Sequence, residues 1–408
     1  MHLRNMDIIP TGPVPGSQRL ELLDALRGFA LAGVLVANLE AFSLYYFLSP
    51  AGAAAPPTFA ADRWLAPAID LLVSAKFITL FSIMFGIGFA LLMQRIGQSG
   101  GRRWYLRRLA VLFLIGLLHS AFWWGDILRS YAVAGLLLLP LARMRPRNLA
   151  ILGVALMYLP HLPWWQGDSS LAPRAHAYAA ALVAFSSEHA ATMLRGNHAF
   201  DLWWWQSHWR VPASLPGLML IGLALGNSQV LRDPDRHAGF WKWLLACLPV
   251  GLVLALLVTL SDYGRLGRFG DATAPWRHAL DQGIVLLVAL GYAALFVFLF
   301  SRARWHRWLR HLAPVGRMAL SNYLGHTVVG IAVFYGIGLG IGPRYGTVAV
   351  VCTFVVLFGA QIAFSRWWLD RFRFGPAEWA WRSLTYGQRQ PMRRQPVGGA
   401  DSTLAARS

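Results

Sequence analysis

Long apolar runs alternate with short polar, arginine-rich segments along most of the chain. Ten runs approach the ~20 residues with which an α-helix crosses ~30 Å of hydrocarbon, whereas barrel strands would alternate in short segments. The pattern predicts an all-α polytopic membrane bundle. Its ten transmembrane helices are expected at residues 25–48, 77–94, 105–124, 127–143, 148–163, 213–228, 240–261, 279–301, 318–342 and 347–369.

Composition supports the membrane class and charge gives an orientation. The chain is 56% hydrophobic and 13% charged, where a soluble domain has about a quarter charged residues. Most of its 37 Lys and Arg residues fall in alternate loops, and cytoplasmic loops hold such an excess, so both termini are predicted to be cytoplasmic. Topology and anionic lipid thus explain the net charge of +19 without a nucleic acid partner.

The runs define one membrane domain, residues 22–394, between a mobile tail at 1–21 and a disordered tail at 395–408. Two outer segments, 49–76 and 164–212, are long enough to do more than connect helices. The tryptophan cluster of the second favours an interfacial belt over a substrate platform. Its histidines lack metal-ligand spacing on one helical face, so we expect no metal site.

One polar segment separates two of the apolar runs. It contains His119, Asp126 and Arg129 within eleven residues. Such groups are costly where lipid excludes water, so they need partners, a water-filled cavity or the membrane surface. The segment is therefore either a functional site or a polar turn at the membrane boundary. Elsewhere, Gly86 and Gly88 indicate close helix packing, since no strand precedes them as in a nucleotide loop.

Five ordered blocks resemble bacterial YeiB-like membrane proteins that carry the DUF418 domain. The first is Leu23-Asp24-Ala-Leu-Arg27-Gly28-Phe-Ala with Asn38 beyond it, and the others occupy residues 76–88, 116–128, 316–323 and 373–387. The resemblance covers residues 22 to about 394 and is strongest in 213–394. It implies a multi-pass protein of the bacterial inner membrane. Where this family has glutamine, the chain has His326, which therefore inherits no role from the family.

The resemblance also implies a chemistry. YeiB-like proteins are grouped with transmembrane acyltransferases such as the heparan glucosaminide N-acetyltransferases, which move an acyl group from cytoplasmic acyl-CoA to a hydroxyl or amine on the far side. Their first helix shares the Leu26-Arg27-Gly28 element, but the catalytic histidine that follows it there is missing here. If the chemistry persists, His119 must supply the base from another helix, or the mechanism differs.

Helix geometry permits this substitution. His119 lies roughly 21 Å along its helix from the inner side at 1.5 Å per residue, and Asn38 lies about 16 Å beyond Arg27. We expect His119, Asp126, Asn38 and Lys76 to meet toward the outer face, with His119 as general base, Asp126 orienting it, and Asn38 or Lys76 donating to the oxyanion. Helix packing for Asn38, snorkelling for Lys76 and a structural ion pair between Asp126 and Arg129 remain the alternatives.

The remaining candidates form a donor site and a substrate cavity. Guanidinium groups at the inner helix ends suit the phosphates of acyl-CoA, although each also serves topology. These arginines are Arg27, Arg107, Arg108 and Arg317. The candidates for the substrate cavity, some of which have packing as their alternative, are Asn322, Tyr323, His326 and Arg129.

Three functions remain open at this stage. The leading hypothesis is an acyltransferase that uses acetyl-CoA and an extracytoplasmic glycan or small-molecule acceptor. The same polar core would also suit a transporter of a small solute, with His119 as proton relay. A scaffold that docks another protein on its tryptophan-rich outer segments is the third. Abundant glycine and tryptophan surfaces are compatible with a homodimer.

Overall fold

The computed structural model describes residues 21–96, 101–161, 173–228, 230, 237–267 and 274–394. Throughout these ranges the regular structure is helical, and the one isolated β-bridge pairs Phe372 with Arg393. Residues 1–20 of the tail expected at 1–21, the tail expected at 395–408 and the start of the segment 164–212 lie outside the described residues, whereas Glu21 is the first residue of α1.

Eighteen α-helices form the described part of the chain. In order they are α1 (Glu21–Phe42), α2 (Pro50–Ala53), α3 (Phe59–Leu72), α4 (Lys76–Ile96), α5 (Gly101–Ser120), α6 (Leu128–Leu136), α7 (Leu138–Leu141), α8 (Pro146–Tyr158), α9 (Arg174–Phe185), α10 (Ala190–Ser207), α11 (Arg210–Ser228), α12 (Ala238–Asp262), α13 (Pro275–Phe300), α14 (Ala303–Leu309), α15 (Ala313–Arg317), α16 (Ala319–Phe334), α17 (Gly346–Arg371) and α18 (Pro376–Tyr386).

The length and apolar composition of several helices make this chain a helical membrane protein. Among the described residues, six stretches are long and apolar enough to cross a bilayer, and α16 is a shorter apolar helix. The six are Glu21–Phe42, Phe59–Gln94, Arg210–Ser228, Ala238–Asp262, Trp276–Phe300 and Gly346–Arg371. The second stretch joins α3 to α4 through a turn in which Ala75 has a left-handed φ of 63°.

Four of the predicted crossings differ from uninterrupted apolar helices. The run at 25–48 stops being α-helical at Phe42, before a 3-10 turn at Tyr45–Phe47. The run at 127–143 is divided at Leu137 into α6 and α7. The run at 148–163 is a 13-residue helix, α8, that ends in a 3-10 turn. The run at 318–342 stops being helical at Phe334, because the chain there turns through glycine-rich residues. Hydropathy predicted apolar segments here but could not show where their helices end or break.

Glycines bring two helix pairs into backbone contact. A Cβ added at Gly86 of α4 would lie 2.0 Å from the carbonyl oxygen of Met219 in α11. A Cβ added at Gly316 of α15 would lie 1.9 Å from the carbonyl oxygen of Asp24 in α1. The packing expected of Gly86 is therefore present. Around Gly88, by contrast, no described atom lies within 4 Å of an added Cβ.

The bundle has two chemically different ends. One, which we call the arginine end, contains the beginnings of α1 and α5 together with α15 and α18, and Trp381 of α18 donates from Nε1 to the carbonyl of Arg108 at 2.9 Å. The other, the aromatic end, contains the end of α1, the turn between α5 and α6, and helices α9 and α10. There Asn197 of α10 donates to the Ser120 carbonyl at 2.8 Å and so holds the turn.

Candidate functional site

The predicted pair of His119 and Asp126 forms. His119 lies in the last turn of α5, and the chain reverses before α6 so that Asp126 returns to it. His119 Nδ1 and Asp126 Oδ1 are 2.8 Å apart, and the two residues are only 6% and 4% exposed. A turn of seven residues thus brings together two groups that the sequence could only place near the same depth.

Arg129 extends this pair into a charged chain. Asp126 Oδ2 accepts from the backbone N–H of Arg129 at 3.0 Å and from its Nε at 3.3 Å. The same guanidinium donates through NH2 and NH1 to both carboxylate oxygens of Asp201 in α10, at 2.7 and 3.0 Å. Such two-pronged pairing is the strong form of an arginine–carboxylate contact. Arg129 therefore fastens the α5–α6 turn to α10 and lies away from the cavity described below.

The other nitrogen of His119 meets a residue that sequence reasoning missed. His119 Nε2 lies 2.7 Å from Oγ1 of Thr327, a buried residue of α16. Two Arg129 donors hold the Asp126 carboxylate as an acceptor, so in a neutral imidazole the proton belongs on Nδ1 and Nε2 accepts from the Thr327 hydroxyl. We call His119, Asp126, Arg129, Asp201 and Thr327 the His119 network.

The remaining predicted catalytic residues are separated from this pair. Asn38 Nδ2 lies 3.3 Å from Nδ1 of the buried His326, which immediately precedes Thr327. Lys76 instead donates to the backbone carbonyl of Asp70. It lines a distinct cavity of about 270 Å³ together with Asp70, Asp262 and Asp281. The expected four-residue cluster is thus divided, and Asn38 is adjacent to the His119 network only through His326.

Three of the four predicted phosphate ligands line one cavity at the arginine end. The space, which we call the arginine cavity, measures about 340 Å³. Among the described residues that line it, four carry guanidinium groups and two carry carboxylates. They are Arg27, Arg108, Arg317, Arg382, Asp24 and Glu378. The fourth predicted ligand, Arg107, instead lies beside Trp104, 5.8 Å from its ring centroid.

The two carboxylates of the arginine cavity have partners within the protein. Asp24 Oδ1 accepts from NH1 of Arg27 at 3.0 Å. Glu378 of α18 accepts from the backbone N–H groups of Leu320 and Ser321, at 2.7 and 3.1 Å, and so caps the beginning of α16. Burial raises the pKa of Glu378 above its ordinary value. The carboxylates therefore leave the cavity with an excess of positive charge.

Arg108 shows why the cavity suits an external anion. Its guanidinium stacks 3.7 Å from the centroid of the Trp381 ring, and Arg27 and Arg382 are its cationic neighbours. Stacking on a ring fixes the guanidinium plane and leaves its N–H groups able to donate sideways. Arg382 belongs to the sequence block at residues 373–387, but the sequence did not indicate that it would line the same cavity as Arg108 of α5.

Apart from its charged residues, the arginine cavity is lined mainly by apolar side chains and also by Tyr323. Its walls come from α1, α4, α5 and α6, and include Val34, Met84, Phe85 and Leu112. The Tyr323 hydroxyl accepts from the Ile127 N–H at 3.3 Å and lies 3.5 Å from the Gly125 carbonyl oxygen. Its ring centroid is 5.2 Å from that of His119. Tyr323 thus both lines the cavity and lies against His119 of the network.

Of the expected substrate-cavity residues, Tyr323 lines this space and the others are used in packing. Asn322 donates to the Val315 carbonyl at 3.2 Å and to Ser365 Oγ at 3.1 Å. His326 is buried between Asn38 and Gln361, and Arg129 belongs to the His119 network. Of the pair Asn322 and Tyr323, Asn322 therefore has a packing role, whereas Tyr323 lines the cavity.

Aromatic rings close the His119 network from the other side. Phe42 stacks on Trp123 at a centroid distance of 4.5 Å, and Trp124 lies 4.8 Å from both Phe200 and Trp204. We call these five residues the aromatic cover. The tryptophan-rich segment expected as an interfacial belt thus packs, at least through Trp204, over the α5–α6 turn.

Sequence comparisons agree with the blocks noted above. The family described as "Protein of unknown function (DUF418)" matches residues 225–388. The chain is 31% identical to uncharacterized protein YxaH of Bacillus subtilis, over 94% of this chain and 98% of that relative. It is 30% identical to uncharacterized protein YeiB of Escherichia coli, over 90% and 96% respectively. The chain belongs to the DUF418 family. No solved structure matches it.

The matched family region begins at the end of α11 and runs into α18. It therefore contains Thr327, Tyr323, Arg317 and Glu378, while His119 and Asp126 come from the preceding half of the chain. Both relatives cover nearly the full chain, so both halves are shared with them. Within the described ranges, no three His, Cys, Asp or Glu side chains are grouped to hold a metal ion.

Proposed function

We propose that this protein is a membrane-bound acyltransferase whose donor, an acyl-CoA such as acetyl-CoA, occupies the arginine cavity. The observation that carries the proposal is the lining of that cavity, which combines four guanidinium groups with apolar side chains and with Tyr323, whose ring centroid lies 5.2 Å from that of His119. Phosphates of the donor bind the guanidinium groups, and the acyl group points toward the ring of Tyr323.

The proposed topology is ten crossings of the bacterial inner membrane with both termini cytoplasmic. Beyond the six long apolar stretches, it counts α5, α6 with α7, α8 and α16 as crossings. The arginine end then faces the cytoplasm, where acyl-CoA is made, in agreement with the placement of basic residues. The aromatic end faces outward, toward an acceptor hydroxyl or amine on a glycan or small molecule.

His119 is the proposed base. Overall, the C–S bond of the thioester is replaced by a C–O or C–N bond, and His119 Nε2 carries the proton of the acceptor to the CoA thiolate. Asp126 fixes the tautomer that exposes a lone pair on Nε2. Asn38 is the proposed oxyanion donor, because His326, which its Nδ2 contacts at 3.3 Å, immediately precedes Thr327 in α16, whereas Lys76 lies in the separate cavity.

The test uses purified protein in lipid nanodiscs with acetyl-labelled CoA and cell-envelope extract. We expect saturable binding of the donor and label on an extracted hydroxyl or amine, detected by mass spectrometry. His119→Ala should lower the transfer rate by roughly 10²-fold or more while donor binding and folding are kept. An absence of both saturable binding and transferred label would overturn the proposal. Solute flux through sealed vesicles without acyl-CoA would favour transport instead.

A further inference from the structure

We propose that Thr327 is the nucleophile of this reaction and carries the acyl group as an ester between donor and acceptor. The inference rests on the proposed function and assigns a residue that direct transfer does not need. Its basis is the chain of contacts in the His119 network. Asp126 Oδ1 lies 2.8 Å from His119 Nδ1, and His119 Nε2 lies 2.7 Å from Thr327 Oγ1. This is the acid–base–hydroxyl sequence of nucleophilic catalysis.

The hydroxyl of Thr327 has an unusual partner for a helical residue. Serine and threonine within helices commonly hydrogen-bond to a carbonyl of the preceding turn. Ser82 donates in this way to the Ile78 carbonyl at 2.7 Å, and Ser120 donates to the Leu117 carbonyl at 2.9 Å. Thr327 instead lies against an imidazole nitrogen that has a lone pair to accept its proton.

Thr327 also lies between the two compartments that the reaction must connect. It follows Tyr323 by one helical turn of α16, so both side chains lie on the same face of the helix, and Tyr323 lines the arginine cavity. On the other side, Trp123 of the aromatic cover lies 5.7 Å from His119 between ring centroids. Donor and acceptor approach from opposite sides, so direct transfer would need both approaches open at once. An acyl-threonine lets one open after the other.

The two steps balance. In the first, His119 Nε2 takes the Thr327 hydroxyl proton, Oγ1 attacks the thioester carbonyl, the C–S bond breaks, and the thiolate takes the proton from His119. In the second, the acceptor gives its proton to His119 and attacks the ester carbonyl. The bond between Oγ1 and the acyl carbon then breaks, and Oγ1 regains the proton. The burial of His119 and Thr327 shields the ester from water between these steps.

The experiment traps the intermediate. Full-length protein in nanodiscs is incubated with acetyl-labelled CoA but no acceptor, then digested and sequenced by mass spectrometry. We expect one acetyl group on the peptide containing Thr327. The adduct should resist neutral hydroxylamine, which cleaves an acyl-imidazole, and be lost in mild alkali as an oxyester is.

Three variants make the outcome decisive. Thr327→Val keeps the branched shape, and should abolish the label and lower transfer by roughly 10²-fold or more. Thr327→Ser keeps a hydroxyl and should retain both. Ser120→Ala removes a buried hydroxyl next to His119 that already donates to a backbone carbonyl, and should retain label and transfer. Each is first checked for folding by its thermal unfolding transition.

The inference and the proposed function fail in different ways. If wild-type protein transfers acetyl groups without labelled Thr327, and Thr327→Val transfers at the wild-type rate, then His119 acts directly on the acceptor and Thr327 only packs against it. A hydroxylamine-sensitive label on His119 would overturn the inference equally. If neither binding nor transfer occurs in wild-type protein, the proposed function fails, and the inference fails with it.

Discussion

The arginine cavity and the His119 network use the same charged groups in opposite ways. In the network, Arg129 is paired with both Asp126 and Asp201, and the turn that it holds is buried under aromatic rings. In the cavity, four guanidinium groups line an open space with two carboxylates, and Arg108 stacks on a tryptophan. Arg129 and its two carboxylates hold parts of the chain together, whereas the cavity lining, with four arginines and two carboxylates, has an excess of positive charge that is suited to an external anion.

The largest effect should come from breaking the network at Asp201. Asp201→Ala leaves the largely buried Arg129 with Asp126 as its remaining carboxylate, and removal of one member of a buried pair costs about 3–5 kcal/mol of the free energy of unfolding. Chemical unfolding in detergent measures the loss. Donor affinity of the folded protein should be unchanged, because the arginine cavity lies elsewhere.

Asp262→Ala is the matched control for Asp201→Ala. It also removes an arginine-bound carboxylate, but the Asp262 side chain is 47% exposed and Arg277 keeps its contact with Asp281. We expect a loss of about 0–1 kcal/mol. Similar losses in both variants would contradict the view that the buried network is a structural fastening as well as a catalytic one.

The second effect concerns donor affinity. Arg108→Gln removes a guanidinium that faces the arginine cavity, and a hydrogen bond to a charged group contributes about 1.5–3 kcal/mol. The dissociation constant for acetyl-CoA should rise roughly 10–100-fold, by the equivalence of 1.4 kcal/mol to a factor of ten, and the wild-type affinity should fall as salt is added. Equilibrium binding to nanodisc-embedded protein measures both.

Arg107→Gln is the neighbouring control on the same helix. It removes the same charge beside Trp104 rather than in the arginine cavity, so it should change affinity by less than Arg108→Gln. An equal loss in the two variants would mean that the donor responds to overall positive charge and not to a built site. The excess of positive charge around the arginine cavity would then not mark a specific site for the donor.

Hydropathy predicted an all-helical membrane protein, because lipid-crossing helices appear in a sequence as continuous apolar runs. The predicted span 213–228 and the observed α11, Arg210–Ser228, differ by a few residues at one end. The division of α6 from α7 at Leu137 was not predicted by hydropathy, since Leu137 is as apolar as its neighbours. A local cause is nevertheless present, because Pro140 has no N–H to donate to the carbonyl of Leu136 and disfavours a continuous α-helix there.

In the candidate site, contacts between residues that are far apart in the sequence could not be predicted. His119 and Asp126 could be paired from the sequence because a short turn joins them, whereas Thr327 contacts His119 from 208 residues away and Asp201 contacts Arg129 from 72 residues away. Counting rise along helices placed Lys76 at a suitable depth, but depth does not fix the direction in which a side chain points around its helix. Lys76 accordingly lies in another cavity.

The third effect tests the apolar interior of the arginine cavity. Gly88 lines it, and an added Cβ there would have no described atom within 4 Å. Gly88→Leu should therefore fold, but it should exclude long acyl chains and weaken binding of a long-chain acyl-CoA by about tenfold relative to acetyl-CoA. Competition between the two donors measures the change.

Gly86→Ala, two residues away, is the structural counterpart. Its Cβ would meet the Met219 carbonyl oxygen at 2.0 Å, so α4 and α11 must separate, at about 1–3 kcal/mol of the free energy of unfolding. Chain-length selectivity should stay as in wild type. A loss of stability in Gly88→Leu that matches Gly86→Ala would show that the space beside Gly88 is closed in solution.

The smallest effect is expected at Tyr323, where cavity and network meet. Its hydroxyl makes only long contacts, of 3.3 and 3.5 Å, so Tyr323→Phe should cost less than about 1 kcal/mol and leave donor binding unchanged. The ring lines the cavity and lies against His119. Tyr323→Ala should therefore admit water to His119 and raise hydrolysis of acetyl-CoA without acceptor, measured as free thiol. If Tyr323→Phe raises hydrolysis as much, the hydroxyl and not the ring keeps the regions apart, because its hold on the Gly125–Ile127 turn then closes the site.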